Sequence, residues 1–211
     1  MQLDDAVQMI KYRLGNFNST AMDAAIIAEM NQVQSTTLEG GDFQPWFMLT
    51  ESSSAQTTAN EERLQVPENF IMEWEEGALW YKETTATAWK PLPKEDYDFL
   101  RGRYAAEGAP KGYAEAGLYF LLVPQPILVY DVKMRYYANQ PANVNGTDEN
   151  VWLKYASDWL IAETGLIIAN NYVHNKSAAE GFVVLAKSAK ARIEKLNVAK
   201  QEANRERMMG E

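Results

Sequence analysis

The sequence predicts an α+β fold: a helical bundle from N- and C-terminal helices, an inserted aromatic-rich antiparallel β domain and a long protruding C-terminal helix. Apolar residues recur at helical spacing near both chain ends, whereas residues 42–140 hold 17 of the 24 aromatic residues and seven of the eight prolines. We therefore expect residues 1–41 and 148–211 to form the helical bundle with its C-terminal docking helix, and residues 42–147 to form the β-rich insertion.

Composition limits the classes of function. The chain has 211 residues, of which 46% are hydrophobic and 23% charged, as in a folded protein with a sizeable core. It has no cysteine, which excludes disulfides, thiolate nucleophiles and cysteine-bound metals, and fits a reducing compartment. The net charge of -9 is the wrong sign for broad binding to nucleic acid.

Two amphipathic helices are predicted in the first 40 residues. The apolar positions of the first are Leu3, Ala6, Val7, Ile10 and Leu14, and Gly15 is predicted to end it. Thr20 followed by Asp23 resembles a capping box and predicts the start of the second. Its apolar positions are Met22, Ile26, Met30 and Val33, and Gly40-Gly41 is predicted to end it.

The middle of the chain predicts strands and turns. Leu128–Tyr137 alternates with period two, which is typical of a strand with one solvent-facing side. The apolar run Gly117–Val123 is predicted to form a hairpin with it through two prolines. A second hairpin is expected between Phe70–Trp74 and Ala78–Lys82.

Two further segments of this region have their own patterns. Lys94–Tyr104 predicts a short acidic helix. Glu51–Glu62 is rich in Ser, Thr, Ala and Gln, and is expected to be either a hairpin tip or a mobile loop.

The C-terminal region predicts a central helix and a long final one. Val151–Val173 is apolar on nearly all sides, so we expect it at the centre of the bundle. Ser177 with Glu180 can cap the last helix, whose apolar positions are Phe182, Ala186, Ala189, Ile193 and Leu196. A helix over 177–208 would be roughly 45 Å long, so its end is expected to protrude.

The last helix is also basic. Residues 185–211 hold seven Lys or Arg and four Glu, a net charge of +3, and the remaining residues therefore carry -12. Two interpretations are open: a frayed end that aids solubility, or a helix that becomes ordered against another protein. Because the basic residues alternate with glutamates, the pattern favours protein docking over DNA binding.

Catalytic, metal and cofactor motifs are not found. His174 is the only histidine, and we interpret it as a polar turn residue. The acidic clusters at 61–62, 73–76 and 95–98 are interpreted as solvated, and a carboxylate-dependent hydrolase is the alternative they leave open. We expect no enzyme activity, no catalytic or metal-binding residue and no cofactor.

The aromatic residues have two interpretations. They could form a stacking platform for sugars, or they could be core and cross-strand residues of a small sheet, which we favour. A carbohydrate-binding tail or surface module therefore remains an alternative function. The candidates for a stacking platform, for sugars or for single-stranded nucleic acid, are Trp46, Trp74, Trp80, Trp89, Tyr113 and Tyr119. The same residues without Trp74 are the candidates for a subunit or tail interface, and the acidic neighbours disfavour a nucleic-acid platform.

Several motifs, in order, resemble the head-to-tail adaptor proteins of short-tailed bacteriophages. In the first half these are Pro45-Trp46-Phe47-Met48-Leu49, Thr57-Thr58-Ala59 and Leu64-Gln65-Val66-Pro67-Glu68-Asn69-Phe70, where Asn69 replaces the Asp of the family pattern. In the second half they are Pro110-Lys111-Gly112-Tyr113, Gly117-Leu118-Tyr119-Phe120-Leu121, Arg135-Tyr136-Tyr137, Asn150-Val151-Trp152-Leu153 and Leu160-Ile161-Ala162-Glu163-Thr164-Gly165-Leu166. The resemblance spans nearly the whole chain.

The resemblance implies a structural role in the virion. The family forms a ring of about 12 copies between the portal and the tail, where it extends the DNA channel and provides a platform for tail or nozzle proteins. It implies assembly in the host cytoplasm, passage of double-stranded DNA without specific binding, and no membrane partner.

The resemblance also gives the basic helix a partner, the portal protein. We expect the helix beyond about Leu185 to become ordered along the portal, so that a chain ending near Lys190 would fold but not join portals. The expected portal-docking residues are Lys187, Lys190, Arg192, Ile193, Lys195, Leu196, Val198, Lys200, Arg205 and Arg207.

Overall fold

The chain folds into two compact units. The computed structural model describes residues 1–16, 19–39, 44–74 and 77–209. One unit contains Met1–Met48 and Asn139–Glu211, and the other contains Leu49–Ala138. The α+β class is confirmed, with helices at both chain ends and strands between them. We call the two units the helical unit and the β unit.

The helices and strands have the following bounds. The helices are α1 (Leu3–Leu14), α2 (Thr20–Glu39), α3 (Tyr97–Arg103), α4 (Val151–Tyr155), α5 (Ser157–Ile168) and α6 (Lys176–Met209). The strands are β1 (Leu49–Gln56), β2 (Arg63–Gln65), β3 (Phe70–Glu73), β4 (Leu79–Glu83), β5 (Lys90–Leu92), β6 (Gly112–Ala116), β7 (Tyr119–Val123) and β8 (Tyr130–Ala138). A short 3₁₀ helix covers Trp46–Met48, and a π-helical turn covers Ala169–Val173.

Helix α5 lies at the centre of the helical unit. It packs against α1, α2, α4 and α6, which confirms the central position expected for this apolar segment. The segment is not one helix, because Ala156 leaves helical geometry between α4 and α5. The side chain of Asn150 starts α4 by accepting hydrogen bonds from the backbone N–H groups of Trp152 and Leu153, at 3.0 and 3.1 Å.

The first two helices are joined by an ion pair between a buried lysine and a partly exposed aspartate. Lys11 is 6% exposed, and its Nζ lies 2.8 Å from a carboxylate oxygen of Asp23. Asp23 therefore pairs across helices, and α2 begins at Thr20 as predicted, whereas the predicted capping role of Thr20 is wrong. Ser19 is the cap, since its Oγ accepts from the N–H of Met22 at 3.1 Å. Gly15 ends α1 in left-handed geometry as predicted, while the predicted stop at Gly40-Gly41 lies outside the described residues.

The N-terminus is fixed to a segment that comes much later in the chain. The N–H groups of Leu3 and Asp4 donate to the carbonyls of Asp148 and Gly146, at 3.0 and 2.9 Å. These bonds satisfy donors at the start of α1 that have no partner within the helix. The two ends of the chain therefore build one unit.

Helix α6 begins one residue after Asn175. The Oδ1 of Asn175 accepts from the N–H of Ala178 at 3.1 Å, so the predicted cap at Ser177 is wrong. Four of the five predicted apolar positions, Phe182, Ala186, Ala189 and Ile193, are buried, whereas Leu196 is 45% exposed. Within the part of the chain that the structure describes, no helix is both long and apolar enough to cross a membrane.

Strand β8 is the central strand of the larger sheet, whose order is β1-β8-β4-β5. Its buried and less buried positions alternate from Tyr130 to Tyr136, as the period-two pattern predicted. Strand β1 pairs antiparallel with it, with Leu49 opposite Tyr137. The expectation of a hairpin tip or loop over residues 51–62 is therefore wrong for β1, because pairing with β8 makes it an extended edge strand.

The two predicted hairpins are both wrong. Strands β3 and β4 pair with successive parts of β8, Phe70 opposite Ala138 and Leu79 opposite Met134, so they run in the same direction. Strand β7 pairs with β6 and β2 in a separate three-stranded sheet. A two-residue turn closes β6 and β7, and its Gly117 has a φ of +64°, which favours glycine.

The core of the β unit lies between the two sheets. Its buried residues from the larger sheet include Leu79, Tyr81, Tyr130, Val132, Met134 and Tyr136, and those from the smaller sheet Leu64, Tyr113, Phe120 and Leu122. The predicted short helix is confirmed as α3, which Asp96 caps by accepting from the N–H of Phe99 at 3.1 Å. Leu100 of α3 is buried and packs against Gly112, at the start of β6.

Candidate functional site

The outer face of the larger sheet carries a row of alternating indoles and cations. We call this row the Trp–cation ladder, and its members in order are Trp74, Arg135, Trp80, Lys133, Trp89 and Lys82. Strand register explains the row, because Trp80 on β4 is directly opposite Lys133 on β8. Their neighbours Leu79 and Val132 point into the core, so the ladder residues point away from it.

Each ladder contact has cation–π geometry. The Nζ of Lys133 lies 5.1 Å from the ring centroid of Trp80 and 5.3 Å from that of Trp89. Arg135 lies 5.2 Å from Trp80 and 5.6 Å from Trp74, and Lys82 lies 5.3 Å from Trp89. Such contacts contribute roughly 0.5–1 kcal/mol each at exposed sites. They hold the three cations in fixed positions on the sheet.

Two of the three cations have acidic partners. Lys82 lies 3.2 Å from Asp131, and Arg135 lies 2.6 Å from Glu51. A hydrogen bond from Gln56 and one from Lys82 hold the pKa of Asp131 below its ordinary value. Lys133 forms no ion pair with any carboxylate in the described ranges. The ladder therefore has a cation at its centre whose charge is not balanced by an acid.

The predicted aromatic candidates are not gathered in one place. Trp80 and Trp89 belong to the ladder, while Trp46 packs on Tyr155 of the helical unit with ring centroids 5.0 Å apart. Tyr119 is 38% exposed and lies under Arg63. Tyr113 is fully buried in the core, so its assignment as an interface residue is wrong. Its bulky ring fills the space between the sheets and meets Phe120 edge-on.

The acidic cluster that contains Glu73 forms ion pairs and hydrogen bonds with neighbouring side chains. Lys94 connects Glu73 and Glu115, with its Nζ at 3.1 and 2.6 Å from their carboxylates. Glu73 is only 7% exposed, and burial raises its pKa above the ordinary value, while Tyr113 and Lys94 oppose the rise. Burial also raises the pKa of the Tyr113 hydroxyl, and the Glu73 carboxylate adds to that effect.

The other acidic clusters have different surroundings. Glu62 accepts a hydrogen bond from the Tyr97 hydroxyl at 3.1 Å, whereas Glu95 and Asp98 are exposed. Glu75-Glu76 lies outside the described residues. Within the described ranges, no three or more His, Asp or Glu side chains are placed to hold a metal ion. His174 occupies a left-handed turn position with φ +55°, which fits the predicted polar turn residue.

Residues of α1 and α6, which both pack on α5, line a groove with exposed apolar side chains. Met9 and Tyr12 on α1 and Val184 and Leu185 on α6 surround Arg13, and we call these five residues the α1/α6 patch. Tyr12 is 75% exposed and Val184 is 68% exposed. Large apolar side chains grouped in this way on a surface typically mark a binding interface. The apolar pattern of α6 did not predict this surface, because Val184 and Leu185 lie off its buried stripe.

The expected docking helix is partly engaged in its own unit. Ile193 is 2% exposed, so its assignment to portal docking is wrong: it is a core residue of the helical unit. Arg192 pairs with Asp158 at 2.8 Å, Lys190 lies 4.0 Å from Glu194, and Lys200 lies 5.2 Å from the ring centroid of Trp46.

The remaining docking candidates point away from the core. Leu196 and Val198 are 45% and 56% exposed, and Lys187 and Lys195 are also exposed. The side chains of Arg205 and Arg207 lie outside the described part of the chain. Portal docking by the exposed candidates stays a prediction.

Comparison of the chain with protein-family models and with curated proteins found no match. A function has to be inferred from the chain's own surfaces, of which the Trp–cation ladder, the α1/α6 patch and the exposed residues of α6 stand out.

Proposed function

We propose that this chain is a structural subunit of a phage head-to-tail adaptor, a ring of about 12 copies that joins the portal to the tail. The observation that carries the proposal is the α1/α6 patch. A monomer that leaves Tyr12 and Val184 largely uncovered exposes grouped apolar surface to water, and association with another protein surface removes that cost.

Each subunit of a ring stacked on a portal needs one surface for contacts with other subunits and a separate surface for the portal. The helical unit offers surfaces of different chemistry: the apolar α1/α6 patch, and the exposed residues of α6 beyond Ile193, where Leu196 and Val198 alternate with basic residues. We assign the first to contacts between subunits. We assign the second to the portal, whose acidic residues would pair with Lys195.

The charge of the chain supports the role of a conduit. With a net charge of -9 per copy, a ring of about 12 copies carries on the order of -100 before counterions. An electronegative wall repels the DNA phosphates, so DNA can pass through without adhering. The β unit, with its aromatic surface residues, would then present the platform for tail proteins.

The carbohydrate-binding alternative receives less support from the ladder. Sugars stack on open aromatic faces. Trp80 and Trp89 each have two cations within 5.3 Å of their ring centroids, so these cations compete for the faces that a sugar would use.

The test is to mix the purified full-length chain with portal rings of the phage that encodes it and to examine the product by negative-stain microscopy and sedimentation. The proposal predicts a ring of fixed stoichiometry stacked on the portal. Free chain alongside bare portals would contradict it. Because Ile193 is a core residue, a chain ending at Lys190 is a poor test of docking; Leu196→Ser and Val198→Ser change only exposed side chains.

A further inference from the structure

We propose that the Trp–cation ladder binds a second copy of this chain through the acidic start of that copy's α3. The residues involved there are Glu95, Asp98 and Phe99, which we call the α3 edge. The inference rests on the proposed function and deepens it, since it assigns a subunit contact to the β unit of a ring-forming chain.

The composition of the ladder favours a protein partner. Trp and Arg are the residues most enriched among those that dominate binding energy at protein interfaces, and the ladder contains three of the chain's six tryptophans together with Arg135. The cation–π contacts hold Lys133 and Arg135 in place before binding, which lowers the conformational entropy lost when a partner docks.

The charge of the ladder favours an acidic partner. Lys133 sits at the centre of the row with no carboxylate partner among the residues that the structure describes, while Lys82 and Arg135 are already paired. Covering Lys133 with an apolar or basic surface would leave a charge desolvated and unbalanced. A partner that brings a carboxylate to this position compensates the charge.

The α3 edge has the complementary chemistry. Glu95 and Asp98 are exposed and form no ion pair within the described residues, and beside them Phe99 is 53% exposed. Asp96 is not included, because its carboxylate caps α3. One edge therefore offers two carboxylates for Lys133 and an aromatic ring for the indoles.

The ladder and the α3 edge are different surfaces of the β unit. The ladder lies on the outer face of the larger sheet, whereas α3 packs against β6 and β7 of the smaller sheet. A contact between them is heterologous, since one copy contributes the ladder and the next contributes the edge. Repetition of such a contact generates a ring or a filament, as the proposed function requires.

Cysteine cross-linking of the full-length chain tests the contact directly. The natural chain has no cysteine, so Ala88→Cys beside Trp89 and Gly102→Cys one turn after Asp98 can be introduced as the only thiols, and both leave Lys133 and Asp98 in place. In an equimolar mixture treated with a short bismaleimide, we expect the 88–102 dimer to exceed the product of a control mixture by at least about tenfold. The control pairs Gly102→Cys with Lys111→Cys, at an exposed lysine of the β unit outside the ladder. Equal yields would overturn the proposal.

Charge reversal supplies an independent measurement. Lys133→Glu should weaken self-association in sedimentation at least about tenfold, and adding Asp98→Lys should restore it, whereas Lys111→Glu should leave it unchanged. Thermal unfolding of each variant checks the fold, and Lys133→Gln replaces Lys133→Glu if the latter unfolds. No restoration by Asp98→Lys, or no self-association of the natural chain at its highest soluble concentration, would overturn the contact.

Two further experiments distinguish the second-copy proposal from binding of another ligand and from failure of the proposed function. A fluorescent oligo-dT or an oligogalacturonate that binds the natural chain and not Lys133→Gln would assign the ladder to a polyanion and overturn the second-copy proposal. Rings on portals that form equally well with Lys133→Glu would overturn the ladder contact and leave the proposed function intact. Cross-links at 88–102 without any binding to portals would support the ladder contact and contradict the proposed function.

Discussion

Gly165 on α5 provides the space that the ring of Phe182 on α6 occupies. A β-carbon built at position 165 would overlap that ring, whose Cδ1 would be 2.7 Å away. Phe182 is 1% exposed, so the ring has little room to move. This contact holds the longest helix of the chain against the central one.

The first prediction follows from this contact. Gly165→Ala should lower the free energy of unfolding by about 1–3 kcal/mol, because overpacking forces α5 and α6 apart. Urea unfolding monitored by circular dichroism measures the change. Gly181→Ala is the matched control on α6: a β-carbon there meets no atom within 4 Å, and alanine favours the helix by roughly 0.5–1 kcal/mol. Equal effects at the two sites would contradict the packing described.

The second prediction concerns the α1/α6 patch. Val184→Asp should leave stability within about 0.5 kcal/mol of the natural chain, because the side chain is 68% exposed, and it should strongly reduce ring formation on portals. Val144→Asp is the control, since Val144 is 71% exposed and lies outside the patch. Thermal unfolding and particle counts in negative stain are the two readouts. Equal loss of rings in both variants would exclude a specific role for the patch.

The third prediction separates the core part of α6 from its exposed part. Ile193→Ala should cost about 2–5 kcal/mol of stability, because it removes a side chain that is 2% exposed. Leu196→Ala, one turn later, should cost less than about 0.5 kcal/mol and should instead weaken portal binding. Urea midpoints and co-sedimentation with portal rings measure the two effects. A stable Ile193→Ala chain would show that α6 does not belong to the core at this point.

The fourth prediction uses the buried carboxylate of Glu73. Burial raises its pKa, so at neutral pH the charged form costs stability that the protonated form does not. Glu73→Gln should therefore be more stable than the natural chain at pH 7.

The stability advantage of Glu73→Gln depends on pH. It should shrink as the pH falls through the raised pKa of folded Glu73, and it should be lost below the ordinary carboxyl pKa of 4.5, where Glu73 is protonated in both the folded and the unfolded state. Thermal unfolding between pH 4 and 8 measures it, with Glu115→Gln as the control for losing one of the two acids around Lys94. A Glu73→Gln chain that is less stable at pH 7 would show that the ion pair with Lys94 outweighs burial.

Local sequence patterns predict the positions of helices and strands better than they predict which strands pair. The alternation in β8 was visible because one face of that strand is buried and the other is not. Which strand pairs with which depends on contacts far apart in sequence. Local alternation therefore does not identify the partner of β7, and the Ser- and Thr-rich β1, which has no fully buried side chain, lacks the apolar alternation that predicts a strand.

The helix caps and the Trp–cation ladder also depend on contacts that local sequence patterns do not predict. Ser19 and Thr20 are both good capping residues, and only the hydrogen bond to Met22 distinguishes them. The aromatic composition indicates Trp74, Trp80 and Trp89 as candidates but not Lys133, because its position between Trp80 and Trp89 depends on the register of β4 and β8. The α1/α6 patch combines residues of two helices more than 160 residues apart in the chain, and no local sequence pattern predicts that they line one surface.

The position of β8 in the larger sheet has a consequence for synthesis on the ribosome. Strands β1, β3 and β4 all pair with β8, which is translated last of the four. The sheet cannot close until Ala138 has left the exit tunnel, and the helical unit has to wait longer still, for α5 and α6. The nascent chain therefore carries β1 without its partner for more than 70 residues of elongation, and a chaperone that shields this stretch would protect it from aggregation.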